Sequence, residues 1–370
     1  MKKHFALVAG ARPNFMKIAP ILRSLDRYTE VKTSLIHTGQ HYDHNLSDVF
    51  FEDLGIRRPD VSLGVGSGSH AAQTAEVMVA IERWIETSAT DGQPVDQMVV
   101  VGDVNSTMAA AIAATKLHVP VAHVEAGLRS FDRRMPEEIN RLVTDSISTQ
   151  LFCSEPAGIE NLSREGHPPE RLHLVGNVMI DTLLQHLPAA QKRSTLQSLG
   201  LSVGQYGVIT MHRPSNVDDA EILSALLKVL VEMSSQLPMI FPVHPRTKSR
   251  IEQFGLSPIL DRCDSIHLVD PMGYLDFLAL TSQAKVIVTD SGGLQEESTA
   301  LGVPCLTMRE NTERPITVDS GSGVLIGNSA DQLQQQLQQV LTGNYDVGHC
   351  PELWDGHAAD RIAKQLVANH

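Results

Sequence analysis

Three acidic residues, Asp103, Glu125 and Glu137, stand where apolar runs end or where a helix begins. Carboxylates at such ends can take a proton from a bound substrate, or give one, once their surroundings tune them. Two further segments, His212-Arg213-Pro214 and His244-Pro245-Arg246, also follow apolar runs. A histidine near an arginine there is poor core material and suits an anion. The segment Val286 to Arg314 is more specific. It opens with a β-branched run, passes through Thr289-Asp290-Ser291-Gly292-Gly293 and continues as a helical pattern closed by Gly302. Strand, glycine turn, helix and strand make one βαβ unit. The glycines let the backbone approach a ligand closely, and the helix start behind them offers unpaired N–H groups that suit a phosphate. Glu296 or Glu297, one turn in, is placed for sugar hydroxyls, and Arg314 adds a cation nearby. Arg12 and Lys17, near the start of the first helix, point to another way of holding an anion.

One half of the chain therefore supplies carboxylates, and the other an anion cradle with basic groups. That division suits a nucleotide-sugar in a cleft between two domains, with its diphosphate and nucleoside on the second half and its sugar reaching the first. His41, Asp43 and His44 lack zinc-motif spacing, so no metal is expected. Gly10 stands alone, without G-x-G-x-x-G, so a nicotinamide dinucleotide is not expected either.

The elements that must position these groups alternate. Strands are expected at Phe5–Ala9, Val31–Ile36, Gln97–Val101, Val119–Val124, Leu151–Cys153 and Leu172–Val175. Between them lie a first helix with its apolar stripe from Phe15 to Leu25, helices at Leu46–Leu54, Ala71–Glu86 and Met108–Leu117, and one opening at Pro136. Around residues 176 to 205 the pattern loosens, and a domain boundary is expected there. A second α/β half follows, with strands Tyr206–Met211 and Met239–Val243 and helix Glu221–Gln236. The expected organisation is residues 1–178 and 179–356, with a terminal helix at 357–370 packing back on the first domain. Polar groups at strand carboxyl ends are the mark of open parallel sheets with a site along that edge.

The 370 residues can build a sizeable core, and 42% hydrophobic with 20% charged residues is ordinary for a globular chain. A formal net charge of -13 argues against nucleic acid or an anionic membrane as partner, and means that an anionic substrate needs a local basic pocket. Four scattered cysteines fit a reducing compartment such as the cytoplasm. The short apolar run of MKKHFALVAG reads as a first strand, not a signal peptide, and no run reaches transmembrane length.

The segments GARPNFMKIAP, TGQHYD, GDVNST, HVEAGLRS, MPEEINR, HRPSNVDD, PVHPR, DPMGYLDF, TDSGGLQEES and MRENTERP lie in order from residue 10 to residue 315, with WDGHAADRI after them. As an ordered set they resemble the non-hydrolysing UDP-N-acetylglucosamine 2-epimerases, over essentially the whole chain. The resemblance implies glycosyltransferase-B architecture: two Rossmann-like α/β domains facing across a cleft, with the last helix crossing back. It implies removal of the C2 proton and loss of UDP to give a 2-acetamidoglucal, then re-addition to yield UDP-N-acetylmannosamine, without a cofactor. By the same resemblance Arg12, Lys17, His212, Ser291, Gly292, Gly293 and Arg314 would hold the diphosphate. Glu297 would take the ribose hydroxyls, and Phe277 would lie against the uracil. Asp103, Glu125 and Glu137 would be the acid/base set, His212 would stand near the leaving group, and Gln40 and His244 would also line the site. A homodimer is the family habit.

The sequence departs from the commonest bacterial pattern ahead of PEE, at HRPSN, and in the GVGSGSH loop, which has no arginine. These departures put activation by a second UDP-N-acetylglucosamine in doubt and also resemble epimerases of other UDP-sugars, such as UDP-2,3-diacetamido-2,3-dideoxyglucuronate. The rivals are a glycosyltransferase of the same fold, which would need an acceptor groove, and a binding protein with a dead site.

Overall fold

The computed structural model describes residues 2–39, 51 and 55–368, without the Arg12 side chain. The helix expected at Leu46–Leu54 therefore lies almost wholly outside the described residues, as do Gln40, His41, Asp43 and His44. The chain forms two compact units, Met1–Thr182 with Glu352–His370, and Leu183–Pro351. Both are Rossmann-like, the pair of units that makes the glycosyltransferase-B class.

Among the described residues, unit 1 holds seven strands: β1 (Lys3–Ala9), β2 (Val31–His37), β3 (Val61–Ser62), β4 (Gln97–Val101), β5 (Val121–Val124), β6 (Gln150–Cys153) and β7 (Leu172–Leu174). Their order is β3-β2-β1-β4-β5-β6-β7, and every pairing is parallel. A parallel sheet is covered on both faces, so its strands read as unbroken apolar runs; every residue of β4 and β5 is buried. The covering helices are α1 (Arg12–Leu25), α2 (His70–Thr90), α3 (Asn105–Lys116), α4 (Pro136–Ile147), α5 (Pro156–Arg164) and α6 (Val178–Ala190). The alanine-rich α3 packs between α2 and α4. Its Ala109, Ala110, Ala111, Ala113 and Ala114 are all buried, because only a methyl group fits so close a helix layer.

In unit 2 the strands are β8 (Gly207–Thr210), β9 (Met239–Pro242), β10 (Ile266–Val269), β11 (Val286–Thr289), β12 (Cys305–Thr307) and β13 (Gly323–Leu325). They run parallel in the order β10-β9-β8-β11-β12-β13. The longer helices are α7 (Ala220–Ser234), α8 (Pro245–Gln253), α9 (Tyr274–Thr281), α10 (Gly292–Leu301) and α11 (Ala330–Thr342). The glutamine-rich α11 buries Leu333, Leu337 and Val340 and leaves its amides on the wet side. The last helix, α12 (Ala358–Ala368), belongs to unit 1 and packs on α1. Asp181 fixes its start by accepting from Ala358 N (3.1 Å) and Ala359 N (2.7 Å).

The stretch after residue 176 is more regular than its sequence indicates. Pro188 sits inside α6 without ending it, and the division between the units falls within that helix.

Candidate active site

Each sheet has one switch point, where the chain leaves neighbouring strands in opposite directions and opens a crevice at their carboxyl ends. In unit 1 it lies between β1 and β4, and in unit 2 between β8 and β11. Most of the residues singled out above fall at these two places.

In unit 1, Asn14 ties the start of α1 to the end of β4. Its Oδ1 accepts from Ala11 N at 2.9 Å, and its Nδ2 donates to the Val101 carbonyl at 3.0 Å. One turn on, the Lys17 ammonium ion-pairs with Glu125 Oε2, both groups being buried. Gly102 sits over this pair with φ of 70°. A Cβ there would stand 3.5 Å from Lys17 Nζ and 3.6 Å from Glu125 Oε2. Glu125 has φ of 69°, a left-handed conformation that costs an ordinary residue about 1–2 kcal/mol. Asp103 follows Gly102, and its Oδ2 accepts from Arg141 Nη1 at 2.5 Å. Arg141 is fully buried on α4 and also donates to Glu138 Oε2 from Nη2 (2.7 Å). So Lys17, Asp103 and Glu125 come together around the Gly102 turn.

Glu137 is exposed in the first turn of α4, whereas Glu138 beside it is buried. Glu138 accepts from Ser130 N (2.9 Å) and Phe131 N (3.1 Å), fixing the loop ahead of the helix. Burial alone would raise its pKa, but the Ser130 hydrogen bond and Arg141 outweigh it and hold the carboxyl below its usual range.

In unit 2, Asp290 is fully buried after β11 and organises the turn after β8. Its Oδ2 accepts from His212 N and Arg213 N, both at 2.8 Å, and from Asn216 Nδ2 at 3.1 Å. Its Oδ1 lies 2.8 Å from His212 Nδ1, which leaves Nε2 of a 42% exposed ring turned outward. Against the cost of burial, the His212 hydrogen bond keeps the Asp290 carboxyl below its ordinary pKa. The His244 ring stands 5.4 Å from that of His212, and burial followed by the His212 charge lowers its pKa. His244 Nδ1 accepts from Arg246 N at 3.2 Å, so its Nε2 carries the proton.

Ser291, Gly292 and Gly293 open α10. A Cβ on Gly292 would meet Arg314 Nη1 at 3.2 Å and Arg309 Nη1 at 3.8 Å, whereas one on Gly293 would meet nothing within 4 Å. Two guanidinium groups and a helix N-terminus thus converge on one spot beside open space. Glu313 bridges the arginines: Arg309 Nη2 is 2.7 Å from its Oε2 and Arg314 Nη1 is 3.4 Å from its Oε1. Despite burial, Arg314 and Arg309 hold the Glu313 pKa down at about 2. Arg314 Nε also pairs with buried Glu296 at 2.7 Å. Burial, and then the Glu296 charge, push Glu297 up to about 8. Phe277, half-buried on α9, packs against the apolar cluster that includes Leu294 of α10. A separate 510 Å³ cavity at the carboxyl ends of β9 and β10 is lined by Val243, Lys248, Ile251, Leu268 and Asp270 among others, and none of the expected site residues borders it.

A family model described as UDP-N-acetylglucosamine 2-epimerase matches residues 23–367. The UDP-N-acetylglucosamine 2-epimerase of Methanococcus maripaludis is 41% identical over 368 residues, covering 98% of this chain and 96% of its own. This chain belongs to the UDP-N-acetylglucosamine 2-epimerase family. Within the family the UDP-2,3-diacetamido-2,3-dideoxy-D-glucuronate 2-epimerase of Pseudomonas aeruginosa is 38% identical, covering 97% of this chain and 98% of its own. The crystal structure of the Methanocaldococcus jannaschii UDP-GlcNAc 2-epimerase in complex with UDP-GlcNAc and UDP aligns with a TM-score of 0.86 and 38% identity over 99% of each chain.

Sequence reasoning passed over several residues that this epimerase-family structure places at the two crevices. Asp290 lies within the glycine-turn motif but has only an ordinary turn signature. Arg309 and Glu313 precede the expected Arg314 at a spacing of four and one, which could have marked a shared ion pair. Glu138 and Arg141, at a spacing of three on one helix face, carry the same signal. No group of three or more potential metal ligands occurs among the described residues.

Proposed function

We propose that this chain epimerises UDP-N-acetylglucosamine at C2 to give UDP-N-acetylmannosamine. One observation supports this reading above the rest: two arginines and a glycine-opened helix start converge beside open space in unit 2, a setting suited to a departing diphosphate. Ser291, Gly292, Gly293, Arg314 and His212 hold that diphosphate, with Arg12 and Lys17 as further cations. Glu297 takes the ribose hydroxyls, Phe277 lies against the uracil, and Gln40 and His244 are the remaining substrate-binding residues.

The C2 proton is not acidic, so its removal must be coupled to loss of a good leaving group. A carboxylate of the set Asp103, Glu125 and Glu137 takes the proton. The electron pair forms the C1=C2 bond as the C1–O bond breaks, giving the 2-acetamidoglucal and UDP. A UDP oxygen then re-adds at C1 while a proton is delivered to C2 on the other face. Atoms and charge balance without an oxidant or reductant.

Incubation of the UDP-sugar in heavy water with no acceptor tests this. Deuterium should appear at C2 together with the C2 epimer. Absence of exchange with every UDP-N-acetylhexosamine and with the diacetamidoglucuronate would remove the reading. A second reading, epimerisation of UDP-2,3-diacetamido-2,3-dideoxyglucuronate, draws support from the 38% identical relative and from the arginine-free loop at 64–70. Parallel assays with the two sugars separate them by kcat/KM. The chain works as a homodimer, which sedimentation velocity would detect, and in the cytoplasm. Among the described residues no helix is long and apolar enough to cross a membrane.

A further inference from the structure

Behind the Gly102 turn lies a set of buried charged groups. Asp145 on α4 and His123 on β5 are both fully buried, and Arg129 nearly so. His123 Nδ1 is 2.6 Å from Asp145 Oδ1, and His123 Nε2 is 2.8 Å from the Gly102 carbonyl. A carbonyl can only accept, so Nε2 carries a hydrogen and donates it. The second oxygen, Asp145 Oδ2, accepts from Gly127 N at 3.1 Å and pairs with Arg129 Nη2 at 2.7 Å. Arg129 is held in turn by Glu165, 2.8 Å from its Nε. One carboxylate therefore grips β5, the loop after β5 and, through His123, the loop after β4.

These are the loops that carry the chemistry. Gly102 immediately precedes Asp103. Glu125 lies between His123 and Gly127, in a backbone conformation that an ordinary side chain resists. Gly127 has no freedom to drift: a Cβ there would stand 2.4 Å from the Gly158 carbonyl, so its backbone is pressed against α5. Strained backbone persists only where its surroundings over-determine it.

We propose that Asp145, acting through His123 and Gly127, is a positioning residue that sets the Asp103 and Glu125 carboxylates relative to one another. The inference rests on the epimerase reading but concerns residues outside its substrate contacts. Asp145→Asn keeps the shape and breaks the hub. The amide oxygen can still accept from one side, but the amide nitrogen faces the Gly127 N–H and Arg129, donors it cannot satisfy.

The experiment compares wild type, Asp145→Asn, His123→Gln and Arg129→Lys for C2 deuterium exchange, KM, UDP affinity and thermal melting. The expected order of loss is Asp145→Asn, on the order of 100-fold in kcat, as a displacement near 1 Å costs. His123→Gln should lose less, because a glutamine amide can still donate to the Gly102 carbonyl. Arg129→Lys should be close to wild type, since His123 and Gly127 stay on Asp145. KM and UDP affinity should move less than threefold throughout, and kcat should fall well below the melting temperature as well as near it. Unchanged kcat in folded Asp145→Asn would overturn the proposal. So would a kcat loss that follows only the folded fraction, or Arg129→Lys costing as much as Asp145→Asn. If wild type itself shows no exchange, the epimerase reading fails instead. The positioning claim then fails with it unless UDP release from the sugar follows the same order across the variants.

Discussion

A single carboxyl group shows how burial in this fold becomes testable chemistry. Glu297 is buried beside Glu296, and its pKa rises from 4.5 to about 8. Between those values the folded chain holds a proton that the unfolded chain has lost. Stability must therefore fall as pH climbs from about 4.5 to about 8, the unfolded state binding fewer protons. Glu297→Gln mimics the protonated form and removes that slope. Its melting temperature should match wild type near pH 5 and exceed it by several degrees near pH 8; equal differences at both would show that Glu297 is not the group responsible. The same protonation bears on ligand binding. In the proposed binding mode ribose hydroxyls donate to Glu297 and favour its ionised carboxylate, so UDP binding near pH 7 should release a proton. Calorimetry in two buffers of different ionisation enthalpy reads that release directly, and in Glu297→Gln it should vanish along with much of the affinity.

At the scale of the element, α10 makes a sharper demand. Gly293 has open space where a Cβ would go, whereas one on Gly292 would meet Arg314 Nη1 at 3.2 Å. Gly293→Ala should fold as well as wild type or better, by about 0.5–1 kcal/mol, since alanine suits a helix. Yet the added methyl stands where a phosphate would lie, so UDP affinity should drop at least tenfold. Binding unchanged in a stabilised Gly293→Ala would mean that the space is only a surface dent. The turn at α10 was legible in the sequence because a β-branched run, two glycines and a closing glycine must follow in that order. Strands β1, β4 and β5 were legible for a similar reason: a strand covered on both faces is apolar without interruption. What escaped was set by contacts distant in sequence. Glu137 and Glu138 both lie about one turn from Arg141, so spacing alone does not say which of them pairs with it, and the Ser130 loop closing on Glu138 decides. The pattern loosened around residues 176 to 205, yet α6 runs from Val178 through Pro188 to Ala190. Asp290 looked like one more turn residue until the backbone of His212 and Arg213 closed on it.

The whole molecule divides its labour between two units that each have a sheet and a core, and unit 1 is completed from the far end of the chain. Helix α12 buries Ala358, Ala359, Ile362, Ala363 and Leu366, and the segment ahead of it buries Trp354, whose Nε1 donates to the Ser154 carbonyl at 3.1 Å. Burying each large apolar side chain is worth roughly 1.5–3 kcal/mol, against a total domain stability of about 5–15 kcal/mol. Ending the chain at Pro351 would also take from the buried Asp181 carboxylate the Ala358 and Ala359 N–H groups it accepts from. Unit 2 loses none of its strands by this cut, nor Asp290, Arg309 or Arg314. A ligand raises the melting temperature of the part that binds it. Scanning calorimetry of the truncated chain should therefore show one transition moved sharply down or lost, and another that UDP still raises. C2 exchange should be gone, because Asp103 and Glu125 belong to the part that melts. If UDP raised no transition in the truncated chain while raising one in the intact chain, the α10 turn with Arg314 and His212 would not suffice for binding, and the cations of unit 1, Arg12 and Lys17, would be required.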